Sequence, residues 1–211
     1  GVSVPAKEVG GDFFNYFQLS NGEIALLVGD VSGKGVGAAL LMANLQASLR
    51  TRLALGQDLA SLAQATDSDI ESSTPGAVYA TLFVGILDPV RRIIRFVNAG
   101  HHPQYVLRSS GVLDRMVSSG LPVGLLAGHG YTEQQMQLEA GDLLFFYTDG
   151  CVEAESESGE MFSAERLEAV LQGDRATGAD DLLVRVEAEV SRFRGRREAF
   201  DDATMMAVKV G

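Results

Sequence analysis

Cysteine is almost absent from this chain. Its 211 residues include one, Cys151, which excludes an internal disulfide framework. No apolar run approaches the roughly 20 residues needed to span a bilayer, and no charged-then-apolar leader opens the sequence. Basic residues are scarce, 17 Lys and Arg against 28 Asp and Glu, for a net charge of −11. That balance argues against nucleic acid or an anionic membrane as the main partner, because both need a cationic face. Internal repeats and low-complexity linkers are also missing. What remains is a soluble, cytoplasmic domain occupying residues 1–211. It opens on Gly1-Val2-Ser3-Val4-Pro5 without a start methionine, and so reads as a domain excised from a longer chain.

What is present suits a packed core: 46% hydrophobic and 21% charged residues, in a chain long enough to bury roughly 70% of its unfolded surface. Strand-like runs at Asp12–Leu19 and Glu23–Asp30 flank Ser20-Asn21-Gly22, which carries the Asn-Gly hairpin signal. After the loop Val31-Ser32-Gly33-Lys34-Gly35, a helix is expected from Val36 to about Leu55. Its core stripe is Ala38, Leu41, Met42, Leu45, Leu49 and Leu53, and Gly56 is its stop. A second helix covers Leu59 to about Ile70, and Ser72–Gly76 breaks the chain. Strands are expected at Ala77–Leu87, Ile93–Val97, Gln104–Leu107, Val112–Met116, Tyr131–Leu138, Leu143–Thr148 and Ala203–Val210. Helices are expected near Ser163–Gln172 and Ala179–Phe193. Hairpin-spaced strands with helices inserted in pairs predict an α+β layered fold with antiparallel sheets.

Certain aspartates recur in one kind of place. Asp30 ends the apolar run that starts at Ile24, and Asp149 ends the run that starts at Leu143. Asp201 and Asp202 precede the last strand, and Asp12 starts a strand after Gly10-Gly11. A carboxylate at the end of a core strand is costly unless it is paired or bound to a cation. If these strand ends converge, a pair of divalent cations resolves the repulsion, and oxygen donors favour Mg²⁺ or Mn²⁺ over zinc. The alternative is that each is an ordinary turn aspartate. Asp88, before a proline, and Asp142, in a Gly-Asp turn, are read that way and assigned to no site.

Five motifs in order carry a resemblance: Gly10-Gly11-Asp12-Phe13-Phe14, Gly29-Asp30-Val31-Ser32-Gly33-Lys34-Gly35, Asn98-Ala99-Gly100-His101-His102-Pro103, Tyr147-Thr148-Asp149-Gly150 and Asp201-Asp202-Ala203-Thr204. Over about residues 5–210 the chain resembles the SpoIIE/RsbU-type metal-dependent protein phosphatases, relatives of protein phosphatase 2C. The resemblance implies a layered α/β/β/α sandwich of two antiparallel sheets flanked by helices, whose first strand would be clipped at Gly1. It also implies Mn²⁺- or Mg²⁺-dependent hydrolysis of phosphoserine or phosphothreonine on a protein, by a water activated between two cations. The implied partners are a phosphorylated STAS-fold anti-anti-sigma factor, in bacterial stress or developmental signalling, and an upstream sensor domain. By position, Asp30 would bridge both cations and the Val31 carbonyl would complete one of them. Asp149 and Asp201 would hold the first cation with Asp30, and Asp12 would hold the second. Asp30 and Asp12 are thus the expected catalytic pair, and Asp201 is preferred to Asp202.

The sequence departs from protein phosphatase 2C at two points. Ser32 stands where that enzyme has a histidine two residues after the bridging aspartate, and no arginine occupies the place of its phosphate-binding arginine. Lys7 is the candidate substitute for that arginine. Other features carry bland readings. Gly33-Lys34-Gly35 fails the P-loop pattern. His101 and His102 read as loop residues that hydrogen-bond backbone, and the run Arg192, Arg194, Arg196 and Arg197 as a solvated helix end. Cys151 reads as a small buried hydrophobe. Two other functions share these residues: an inactive relative that only binds a STAS-like partner, and a small-molecule phosphomonoesterase.

Overall fold

The structure is a computed structural model that describes residues 1–4, 10–74, 78–126, 128–173, 178–199 and 201–211. Lys7 lies outside the described residues, as do Ala77 and part of the expected break at Ser72–Gly76. Strands β1 (Val2–Val4), β2 (Asp12–Gln18) and β3 (Ile24–Val31) come first, followed by helices α1 (Val36–Ala54) and α2 (Leu59–Ser73). Next are β4 (Ala80–Asp88), β5 (Ile93–Ala99), β6 (Gln104–Leu107), β7 (Leu113–Met116), β8 (Gln134–Gln137) and β9 (Leu143–Tyr147). A 3₁₀ turn at Asp149–Cys151, helices α3 (Ser163–Gln172) and α4 (Ala179–Arg194), and β10 (Ala203–Lys209) complete the order. One sheet runs β1-β10-β9-β6-β7 and the other β2-β3-β4-β5-β8, and neighbouring strands are antiparallel throughout. No helix among the described residues is long and apolar enough to cross a membrane.

Strand alternation sorts the side chains into three layers. From β3, Ala25 and Leu27 join α1 and α2 residues in one cluster, while Leu26 and Val28 point the other way, between the sheets. From β9, Phe145 and Tyr147 pack with α3 and α4, while Leu144 and Phe146 meet Leu26 and Val28. The result is the expected α/β/β/α sandwich. Because β3 and β9 are covered on both faces, their sequences read as continuous apolar runs although the sheets are antiparallel.

Local signals hold at the ends of elements. Gly22 turns the β2–β3 hairpin at φ 88°, and the Leu19 amide donates to the Glu23 carbonyl at 2.8 Å. Asp58 caps α2 by accepting from the Ser61 amide at 2.9 Å. Two expectations change. Helix α2 runs on to Ser73 because hydroxyls of the supposed breakers close its last carbonyls: Ser73 donates to Asp69 and Thr74 to Ile70. The expected strand Tyr131–Leu138 shrinks to Gln134–Gln137, because Tyr131 leaves the sheet and packs with the α1–α2 core. Strand β1, which the sequence pattern did not predict, pairs with β10 at the sheet edge.

Phe83 ties the two sheets together. Its ring stacks on Phe96 of its own sheet at 5.5 Å between centroids and meets Phe146 of the opposite sheet at 5.3 Å. Phe83→Ala is expected to lower stability by about 3–5 kcal/mol, read as a shift of the urea midpoint without a change in slope.

Candidate metal centre

The β2–β3 hairpin sets the first half of the site. Its register pairs Gln18 with Ile24 next to the turn and Asp12 with Asp30 at the far end. Residues directly opposite in antiparallel strands share a face, so the two carboxylates are forced together; a one-residue slip would separate them. The other sheet sets the second half. Antiparallel pairing of β9 with β10 matches Tyr147 to Met205, which brings Asp149, just past β9, beside Asp201 and Asp202, just before β10.

One carboxylate oxygen each from Asp12, Asp30 and Asp149 lie within 4.8 Å of one another. The structure therefore brings together three of the four aspartates singled out as ligands. Asp201 lies outside this tight set: its Oδ2 pairs with the Lys34 ammonium at 2.9 Å, and its Oδ1 accepts from the Asp202 amide at 3.0 Å. Asp202 is buried, and its carboxylate fills the space beside Gly10, where a Cβ would fall 1.6 Å from Oδ2. Gly11 leaves room for the Val31 carbonyl, which a Cβ there would meet at 2.4 Å, with Asp30 Oδ1 at 3.1 Å on the same side. Gly150 makes the same allowance for the Asp202 carbonyl.

Thr148 joins the two sheets at the site. Its hydroxyl donates to Asp12 Oδ2 at 2.5 Å and accepts from the Thr204 amide at 3.0 Å. Behind it stands a hydrogen-bonded bracket. Gln104 accepts from the Tyr147 amide and donates to the Tyr147 carbonyl, and Asn98 accepts from the His101 amide. His101 Nε2 lies 2.9 Å from the Tyr147 carbonyl and Nδ1 2.6 Å from the Thr81 hydroxyl. A carbonyl can only accept, so Nε2 carries the proton and Thr81 donates to Nδ1. His101 thus holds backbone, as expected for that loop. His102 instead reaches the mouth of the site, where a ring nitrogen and carboxylate oxygens of Asp149 and Glu153 lie within 4.8 Å of one another.

Burial sets the electrostatics. It raises the Asp12 carboxyl above the ordinary carboxylate range, and the charges of Asp30 and Asp149 add to it while the Thr148 hydroxyl opposes it. Asp30 is raised by burial and then by Asp149, Asp201 and Asp202. Asp149 is raised by burial and then by Asp201, with His102 and Lys34 opposing. Carboxylates driven toward their neutral form by confinement and mutual repulsion make a donor set suited to hard divalent cations, which restore the charged form. The residues present therefore fit a magnesium or manganese site.

The two turn aspartates play other parts. Asp142 is fully buried and accepts from Arg108 at 2.9 Å and from the Ser109 amide at 2.9 Å. Asp88 accepts from the amides of Val90 and Arg91. Arg192 and Arg197 pair with Glu189 and Glu155, in keeping with a solvated helix end. Sequence reasoning gave no role to Thr148, Gln104 or Glu153. Thr148 was within reach, since it sits inside a recognised motif next to Asp149. Gln104 opens an ordinary-looking strand and carried no signal.

A sandwich of two antiparallel sheets between helix pairs, with acidic groups from both sheets at one end, is the fold of the protein phosphatase 2C-like domains. The SpoIIE family, described as stage II sporulation protein E, matches residues 20–211, and the chain belongs to that family. Among curated relatives it is 29% identical to Protein IcfG of Synechocystis sp., over 98% of this chain and 37% of that protein. It is 22% identical to Phosphoserine phosphatase RsbU of Bacillus subtilis, over 99% of this chain and 62% of that protein. The chain thus spans less than two thirds of the length of either. The solved SiaA-PP2C domain of Pseudomonas aeruginosa superimposes with a TM-score of 0.85 at 24% identity, covering 100% of this chain and 85% of that one.

Burial lowers the His101 imidazole to about 4, against about 6.5 when exposed. Between those values the unfolded chain binds the extra proton, so this contribution is complete above about pH 6.5 and is lost as pH falls toward 4. The stability of the wild type relative to His101→Gln should therefore shrink on acidification, by up to about 1.4 kcal/mol per pH unit. Urea midpoints of the two proteins, measured across this window, check it; a constant difference would count against a neutral His101.

Proposed function

We propose that this chain is a divalent-cation-dependent phosphatase domain that hydrolyses phosphoserine or phosphothreonine on a protein. The convergence of Asp12, Asp30 and Asp149 from two different sheets carries the reading. In it Asp30 and the Val31 carbonyl would be ligands to a pair of cations, Mn²⁺ or Mg²⁺. Asp149 and Asp201 would hold one of them with Asp30, and Asp12 would hold the other. Such a pair would supply a water acidic enough to ionise near neutral pH, whose hydroxide is the nucleophile toward phosphorus, and positive charge to offset that of the phosphoryl oxygens. The chain's own residues place and orient. Thr148 fixes Asp12 toward Asp30. Ser32 takes a structural part, since its hydroxyl accepts from the Tyr79 amide at 3.0 Å and pins the loop after Asp30.

A covalent route through the one thiol has no support. Cys151 is buried, and burial pushes its thiol up to about 12, which leaves no thiolate at neutral pH. The proposed substrate is a phosphorylated STAS-fold anti-anti-sigma factor, in line with the chain's likeness to RsbU, which bears the name phosphoserine phosphatase. An acidic domain with its catalytic groups at one open end suits a folded protein that presents a single phosphorylated side chain.

Asp30→Asn and Asp149→Asn should each abolish Mn²⁺-stimulated phosphate release from a phosphoserine protein. The metal-free variants should be at least as stable as the wild type, because each substitution removes one charge from a repelling set. Mn²⁺ should raise the melting temperature of the wild type and leave Asp30→Asn unmoved. Full activity in either variant, or a loss of fold, contradicts the assignment.

A further inference from the structure

Lys34 is the lysine that faces this acidic centre among the described residues. Its ammonium lies 2.9 Å from Asp201 Oδ2 and also lowers the proton affinity of Asp149 and Glu153. Its side chain keeps 38% exposure and that of Asp201 33%, so the pair sits at the mouth of the site, not in its floor. The loop that carries Lys34 leaves open space on either side of it. Gly33 and Gly35 hold left-handed backbone at φ 98° and 87°, and neither has an atom within 4 Å of where a Cβ would stand. Asp201, in turn, has both oxygens engaged, by Lys34 and by the Asp202 amide.

Resting on the phosphatase reading above, we infer that Lys34 is an exchangeable cation of the active site: it neutralises Asp201 until a divalent cation claims that carboxylate, and then pairs with the phosphate of the substrate. An ion pair whose two side chains are both about a third exposed is weakened by the water around it, so a divalent cation can compete for its carboxylate. A divalent cation that draws on Asp30 and Asp149 as well outcompetes it for Asp201. The freed ammonium remains tethered at the entrance, where a dianionic phosphate has to pass, and a lysine serves there as a point charge without demanding bidentate geometry. This gives the site a phosphate-binding cation in the absence of the arginine used by protein phosphatase 2C. Lys34 touches substrate in this scheme and takes part in no proton transfer.

The exchange predicts opposite signs for two measurements on one variant. Calorimetric titration of metal-free protein with Mn²⁺ should show Lys34→Gln binding about three- to five-fold tighter than wild type, since the competing ammonium is gone. Inhibition of the Mn²⁺-loaded enzyme by inorganic phosphate should weaken about ten-fold in the same variant, the loss expected for one charged hydrogen bond. Lys34→Arg, which keeps the charge, should restore most of the phosphate inhibition and provides a second folded variant on the same exposed loop. Unchanged or weaker Mn²⁺ binding by Lys34→Gln overturns the exchange, as does unchanged phosphate inhibition. A wild-type protein that binds no Mn²⁺ overturns the phosphatase reading itself, an outcome distinct from either.

Discussion

Repulsion among carboxylates confined at one end of a β-sandwich is the constraint on which the rest of this structure turns. Asp12, Asp30 and Asp149 place oxygens within 4.8 Å of one another, and Asp201 and Asp202 add charge from the side. Such a grouping opposes folding. It persists because it is fixed by elements whose stability comes from elsewhere: the hairpin register, the β9–β10 pairing, and the layer of apolar side chains between the sheets. The strand ends have little freedom to drift apart, so the strain can be relieved only by protons or cations.

That explains why so much of the polar structure near the site serves backbone and not ligand. Gln104 and His101 hold the Tyr147 peptide from two sides, which fixes the direction in which Thr148 and Asp149 leave the strand. Thr148 then spans the gap between sheets to Asp12. Asn98 closes the loop that delivers His101. Glycines at positions 10, 11 and 150 are required because neighbouring carbonyl or carboxylate groups occupy the volume a side chain would take. The acidic centre is a small set of ligand candidates inside a larger frame that sets their angles.

Much of this was legible in the sequence. Apolar runs ending in aspartate gave the strands and the acidic groups together, because a fully covered strand leaves only its end for a charge. The Asn21-Gly22 turn fixed the register that pairs Asp12 with Asp30. What escaped was non-local. Tyr131 looked like the start of a strand, yet its ring is claimed by the α1–α2 core, and no local pattern encodes that. Ser72, Ser73 and Thr74 looked like breakers, but their hydroxyls closed the helix instead. Lys34 fails a nucleotide motif, and no local pattern pairs it with Asp201, which the fold brings to it from far along the chain. Lys7 lies outside the described residues.

The burial of Cys151 has a consequence for the conditions under which such a domain can work. Its sulfur sits directly after the Asp149-Gly150 turn, sealed from solvent and held as the thiol. Peroxide and electrophiles act on exposed thiolates, and this chain presents none. The acidic centre, assembled from carboxylate oxygens, likewise offers an oxidant no sulfur to attack, so neither it nor the turn behind it depends on the redox state of a thiol.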